Sequence, residues 1–269
     1  MCEYVAPMGP AAKLSPTANW TRRVERAHEL AIRHPDADHL LQFYSEVLEF
    51  QKLVAQNASP QVDPSLPLRD QIDYSLALLV FPEFLSLACQ RGPSTVAAAA
   101  TNLVSDRQRW ESVLSKPSPE SELDWFFYRA CLQPIAEAMQ SHYPESRDES
   151  ARLCPVCGSL PQLTTLRPEG EGARRSLQCS FCLREWGFRR LLCPFCGETE
   201  KEKLPYYTPE ESKGVRVEAC DTCRHYVKSV DLSLDGLAVP LVDEVALSAL
   251  DVWAADHEYT KIEKNLMGF

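Results

Sequence analysis

Cysteine occurs eleven times in the 269 residues, and eight of these stand as four Cys-x-x-Cys pairs between positions 154 and 223. The pairs are Cys154/Cys157, Cys179/Cys182, Cys193/Cys196 and Cys220/Cys223. Two thiolates three positions apart on a tight turn can bind one tetrahedral metal ion together, and a second pair completes a four-sulfur shell. Eight thiolates make two shells with none left over, so all eight are candidate metal ligands. Zinc and iron both accept four sulfurs in this array, and the ligand set does not choose between them. Zinc would be structural and redox-silent. Iron would form a rubredoxin-type centre able to carry one electron.

The pairs also form a repeat. Leu153-Cys154-Pro155-Val156-Cys157-Gly158 recurs as Leu192-Cys193-Pro194-Phe195-Cys196-Gly197, and each copy is followed by a second pair. The gaps inside the copies are 21 and 23 residues, while the copies are separated by 10. Duplication of one module is the simplest reading. Each gap reads as a hairpin: Leu163 to Leu166 out, Pro168 to Gly172 as the turn and Ser176 to Gln178 back, then Leu204 to Tyr207 out, Pro209 to Gly214 as the turn and Val215 to Val217 back. Gly158 and Gly197 suit the positive φ that such a turn needs. On this reading Cys154, Cys157, Cys179 and Cys182 share one ion, and Cys193, Cys196, Cys220 and Cys223 the other. An interleaved pairing, first with third and second with fourth, stays open on spacing alone.

Other uses of the cysteines fit less well. Met1 to Lys13 lacks a basic start followed by an apolar core, so no secretory signal is expected, and no apolar run is long enough to span a membrane. Structural disulfides would need an oxidising compartment. A redox dithiol of the thioredoxin kind would explain one pair, not four. Cys89 and Cys131 lie in apolar helical patterns and read as small core residues, and Cys2 as chemically silent.

Charge bears on the partner. The net charge of −10 divides into −7 for residues 1–150, +3 for 151–230 and −6 for 231–269. Eight bound thiolates and two divalent ions would bring the central stretch to about −1, because a bound thiol is deprotonated. Ribbons that grip nucleic acid present a basic patch, so a nucleic-acid-binding regulator is the alternative reading rather than the favoured one. Arg174-Arg175 and Arg189-Arg190 read as solvated clusters.

The elements that must position these modules are helical. Residues 17–150 are expected to form helices, the first with Val24, His28, Ala31 and Ile32 on one face, and the second from Asp36 to about Ala58, filled by Leu40 to Val54 and capped by Asp36 or Asp38. Further helices are expected over Ile72 to Cys89, Thr95 to Leu103, Asp106 to Leu114 and from Ser118 onward, with kinks at Pro82 and Pro134. Pro144 to Ser150 reads as the domain boundary. Pro240 to Asp256 reads as one closing helix docked on the modules or on the bundle, and the tail after Tyr259 as mobile chain, with contact to a partner the alternative. Catalytic signatures are missing: there is no His-x-x-x-His pair, no glycine-rich phosphate loop and no Gly-x-Ser-x-Gly. His225, two residues after Cys223, is a candidate to orient that metal site, and Trp186 is expected to pack between the modules.

The cysteine array with Glu185-Trp186, Glu218-Ala219-Cys220-Asp221-Thr222-Cys223 and Tyr226-Val227-Lys228 resembles the FdhE-type formate dehydrogenase accessory proteins. Arg22-Arg23-Val24-Glu25-Arg26 resembles that family's opening helix and Asp243-Glu244-Val245-Ala246-Leu247 with Leu250-Asp251 its closing one. The resemblance implies a non-enzymatic cytoplasmic maturation factor that meets the catalytic subunit of formate dehydrogenase and carries two rubredoxin-like centres, with iron favoured. Neither nucleic acid nor membrane insertion is implied, and self-association is left open. Arg224-His225 departs from the family, where a small residue is common, as does the lack of a proline after Asn265. The expected architecture is α plus small β: a helical domain over 1–150, four-cysteine modules over 151–191 and 192–234, and a closing helix and tail over 235–269.

Overall fold

A computed structural model describes residues 16–116, 121–210 and 214–269, the first three by backbone alone. The reading of Met1 to Lys13, Cys2, the helix start at Ser118 to Glu120 and part of the Pro209 to Gly214 turn fall outside these residues. Six helices come first: α1 (Pro16–Arg33), α2 (Asp38–Asn57), α3 (Ser75–Arg91), α4 (Ser94–Ser105), α5 (Arg109–Ser115) and α6 (Glu122–Gln140). Pro82 and Pro134 lie inside α3 and α6, which continue through them. The α6 start is fixed by the Ser121 side chain, which accepts the Asp124 amide at 3.1 Å and so satisfies a donor the helix leaves free. Neither Asp36 nor Asp38 caps α2; Ala37 holds that position, and Asp38 is the first helical residue, accepting from Gln42.

The buried face of α1 differs from the expected one. Trp20, Val24, Ala27, Leu30 and Ala31 are buried, while His28 is exposed and Ile32 is 83% exposed. The missing part of the face is charged. Arg23 is buried against Glu137 of α6, in a two-bond contact of 2.9 and 2.5 Å. Arg26 donates to Asp243 at 3.0 and 2.6 Å and to Asp235 at 3.0 Å. A hydrophobic period cannot reveal a face that is completed by paired guanidinium groups. Leu53, expected in the second helix's apolar set, is also half-exposed on α2.

The strands are β1 (Pro161–Glu169), β2 (Gly172–Cys179), β3 (Glu185–Gly187), β4 (Tyr206–Tyr207), β5 (Val215–Cys220), β6 (His225–Asp231) and β7 (Thr260–Lys261). β1 and β2 close as a hairpin in which Glu169 faces Gly172, with Gly170 at a φ of 57°. β4 and β5 pair antiparallel, as do β5 and β6. The modules do not stay separate. β1 and β6 pair in parallel from Leu163↔Lys228 to Leu166↔Asp231, making one sheet of order β3-β2-β1-β6-β5-β4. β7 occupies the same edge of β6, beside His225 and Tyr226.

Polar side chains also tie this junction. Glu218 on β5 accepts from Arg175 on β2 at 3.0 Å and from Arg216 at 2.7 Å. Burial raises the Glu218 carboxyl, but Arg175 and then Arg216 outweigh it and hold it at about 2. A carboxyl depressed below its unfolded value near 4.3 stabilises the fold above that pH, and the contribution fades as pH falls toward 2. Glu218→Gln is expected to lower stability by about 3 kcal/mol at pH 7, since Arg175 is left buried without its counter-charge. In urea melts the gap between wild type and variant should shrink from pH 7 to pH 3; a constant gap would contradict the assignment.

The closing segment is two helices, α7 (Pro240–Ala246) and α8 (Ala249–Asp256), rather than one. The break at Leu247 and Ser248 turns two backbone carbonyls toward a buried ammonium: Lys228 Nζ donates to Glu244 O at 2.5 Å and Leu247 O at 3.3 Å. It also meets Asp251 Oδ2 at 2.5 Å and Glu244 Oε1 at 3.1 Å. Lys261 of β7 reaches the same two carboxylates. Tyr226 donates to Asp251 at 2.7 Å, and Asn265 to Glu244 at 2.5 Å. The tail is therefore docked, with Ile262, Asn265 and Leu266 buried, because its polar groups complete this network.

Trp186 sits on edge strand β3 and donates to Ala151 O at 2.8 Å. It belongs to the core that the first module shares with the helices, not to the smaller clusters of the second module. Its place is therefore not between the modules, because β6 rather than β3 forms the seam.

Candidate metal centres

Each Cys-x-x-Cys pair forms the same tight turn. The residue after the second cysteine is left-handed in all four: Gly158 (φ 74°), Leu183 (φ 58°), Gly197 (φ 87°) and Arg224 (φ 57°). The turn is closed by backbone bonds such as Gly158 N to Cys154 O at 2.9 Å, Gly197 N to Cys193 O at 3.1 Å and Arg224 N to Cys220 O at 2.8 Å. Amides also point at sulfur: Phe181 N to Cys179 Sγ at 3.3 Å and Phe195 N to Cys193 Sγ at 3.4 Å. Glycine marked two of the turns in the sequence. Leu183 and Arg224 gave no such signal, and each bears the roughly 1–2 kcal/mol of a side chain in this region. Arg224 is held there by its stack over Tyr259 at 4.0 Å and its bond to His257 O. A methyl group added at Gly158 would meet nothing within 4 Å. Gly158→Ala is therefore expected to lower stability by about 1 kcal/mol from backbone strain alone, and Leu183→Gly to recover strain while losing buried side chain. Chemical denaturation of both variants checks this.

The eight sulfurs gather as two groups in chain order, Cys154, Cys157, Cys179 and Cys182, then Cys193, Cys196, Cys220 and Cys223, each with its atoms within 4.8 Å of one another. The interleaved pairing is not the one formed. Cys154 and Cys182 lie 3.5 Å apart, Cys157 and Cys179 3.3 Å, Cys193 and Cys223 3.8 Å, and Cys196 and Cys220 3.7 Å. Disulfide sulfurs would be about 2.05 Å apart. A tetrahedron with metal–sulfur bonds near 2.3 Å has edges of roughly 3.8 Å, so the donor sets fit a four-coordinate ion.

Protonation supports the same fit. Hydrogen bonds from Cys154, then Cys179 and Cys182, push the Cys157 thiol far down. Burial raises Cys179, and the bonds Cys182 makes to Cys154 and Cys157 raise it too. Four thiols this close cannot all ionise on their own, and a bound cation is the charge that would let them.

The two groups differ in their surroundings. All four cysteines of the first are buried. Arg69, in the short turn Leu68–Gln71 before α3, donates to Cys157 O at 3.1 Å, Ser159 Oγ at 2.7 Å and Tyr128 Oη at 3.1 Å. Its guanidinium lies 4.3 Å over Phe181, which stacks on Tyr128 of α6 at 5.3 Å. Gln133 of α6 donates to Ser180 O at 2.8 Å. Sequence reading missed Arg69 and Gln133; one follows a proline-rich break and the other sits in an apolar helical run, and neither pattern points to a distant turn. In the second group Cys196 is exposed and Cys223 half-buried. His225 does not meet a sulfur: its Nδ1 lies 2.8 Å from Cys223 O, and its ring stacks on Phe195 at 3.7 Å. Cys131 is buried in the helical core, where burial raises its thiol, and Cys89 is half-buried beside Thr101.

The described residues thus define a protein with a helical part followed by two four-cysteine groups joined in one sheet. Two family models match in succession, "FdhE, central domain" over residues 153–190 and "FdhE, C-terminal domain" over 191–267. Residues 153–267 therefore read, without a gap, as the central and C-terminal domains of the FdhE family. The Protein FdhE homolog of Aquifex aeolicus is 28% identical over 268 residues, covering 91% of this chain and 94% of the relative. That of Pseudomonas aeruginosa is 36% identical over 126 residues, covering 44% and 40%. The crystal structure of the FdhE protein from Pseudomonas aeruginosa aligns with a TM-score of 0.71 and 28% identity, covering 96% of this chain and 98% of that one. Among the described residues, no helix is long and apolar enough to cross a membrane.

Proposed function

We propose that this chain is a non-enzymatic accessory factor in the maturation of formate dehydrogenase, acting in the cytoplasm on that enzyme's catalytic subunit. The whole-length likeness to an FdhE crystal structure, with two four-sulfur groups in one sheet, supports the reading. Cys154, Cys157, Cys179 and Cys182 hold one ion and Cys193, Cys196, Cys220 and Cys223 the other, in modules over 151–191 and 192–234 behind a helical domain over 1–150, with a closing segment over 235–269. Iron, the metal favoured by the family resemblance, supplies a one-electron couple in such a shell; zinc supplies a redox-silent clamp. The residues around the first group hold the module against the helices, and those around the second leave one cysteine facing solvent. Arg167, Arg175 and Arg216 are engaged by Glu185 and Glu218, which favours a protein client over nucleic acid.

Affinity capture with the full chain holding two ions should enrich the catalytic subunit of formate dehydrogenase from cells that make it. No enrichment would remove the client reading. Elemental analysis with the visible spectrum separates iron from zinc.

A further inference from the structure

We propose that the two four-cysteine groups are chemically unequal, and that the second is a ligand-exchange site that opens at Cys196 to a small external thiolate while the first stays closed. The inference rests on the reading that both groups hold an ion. Ligand exchange needs a path for the incoming sulfur and freedom for the departing one. Cys154, Cys157, Cys179 and Cys182 offer neither: each is buried, and the helical half covers their turns through Arg69, Gln133 and the Phe181–Tyr128 stack. Opening that group would break contacts of the main core, which it shares with α6 and Trp186.

The second group is held from within the C-terminal half. Among the described residues, its turns are tied by Arg152 to Phe195 O at 2.7 Å, Thr222 to Glu198 at 2.5 Å and Tyr259 to Asp221 at 2.5 Å. None of these bonds covers the Cys196 side chain, which is exposed. The Phe195 ring, between Cys193 and Cys196 in the chain, stacks on His225, two residues after Cys223, and so ties the two turns of this group to each other. An incoming thiolate takes the place of the Cys196 sulfur, and the freed Cys196 thiolate takes up a proton from water. Ligand count and charge balance, and no electrons move.

The test uses the full chain loaded with two zinc ions, a small dithiol with a chromophoric zinc indicator, and iodoacetamide trapping mapped by mass spectrometry. One ion should leave about tenfold faster than the other or more, as expected when only one of the two needs core opening. Cys196 should be alkylated first, then Cys193, Cys220 and Cys223, with the first group protected and the helical circular dichroism unchanged. Cys196→Ser should retain one ion and its helices. Release of both ions in one phase, early labelling of any first-group cysteine, or loss of both ions from Cys196→Ser would overturn the inequality. A chain that takes up no zinc at all would instead remove the metal reading on which it stands.

Discussion

Cys157→Ser is expected to unfold the sheet and uncover the face of the helical domain beneath it. A structural tetrathiolate ion contributes about 10–16 kcal/mol of binding free energy in small modules, which is folding free energy there. A whole domain is typically stable by only about 5–15 kcal/mol, so losing one such ion consumes the margin. Cys157 also sits where its carbonyl accepts from Arg69, so the damage should reach the helices. Tyr128 and Phe181 would lose each other, and Trp186, 4% exposed in the same core, would meet water. The measurements are bound metal, which should fall by at least one ion per chain, and tryptophan emission, which should shift to the red. A variant that keeps the wild-type emission and melts within a few degrees of wild type would show that sulfur coordination is not what holds this half together.

Lys228→Met should have the next largest effect, about 3–5 kcal/mol, because it removes one partner from a buried charged set. Two ammonium groups, Lys228 and Lys261, face two carboxylates, Glu244 and Asp251, and Lys228 is fully buried. Methionine fills the volume but leaves two buried carboxylates against one lysine. Burial lowers the Lys228 pKa most, with Glu244 and Asp251 opposing it. Burial raises Asp251, but the two lysines outweigh it and hold the acid below its usual range. The double variant Lys228→Met/Asp251→Asn restores charge balance and should recover part of the loss in a urea-denaturation cycle. If the two substitutions simply add, these groups do not act as one set.

The grouping of the eight sulfurs into two sets was legible in the sequence because its signal is local: pairs at one spacing, glycines at two of the turns and hairpin-length gaps. What lay between the copies was not legible. β6 was missed altogether, since Tyr226, Lys228 and Ser229 do not alternate as a half-exposed strand does; β6 is buried on both faces, with a lysine at its middle. The same cause hid the face of α1, where Arg23 and Arg26 stand in for apolar residues. The closing helix broke in two because Lys228 needs backbone carbonyls, a demand placed by a residue about twenty positions away. Pairwise long-range needs of this kind leave no periodicity to read.

The parallel seam between β1 and β6 sets a timetable for the emerging polypeptide. β1 leaves the ribosome about 65 residues ahead of the strand that covers it. At about 5–20 residues per second, its bare edge stays open for roughly 3–13 s. An unpaired strand edge recruits other strands, including those of a neighbouring nascent copy. Early ion capture by the first four cysteines would hold the β1–β2 hairpin in its twisted, docked form during that interval, so metal supply during translation should govern how much of the chain escapes aggregation.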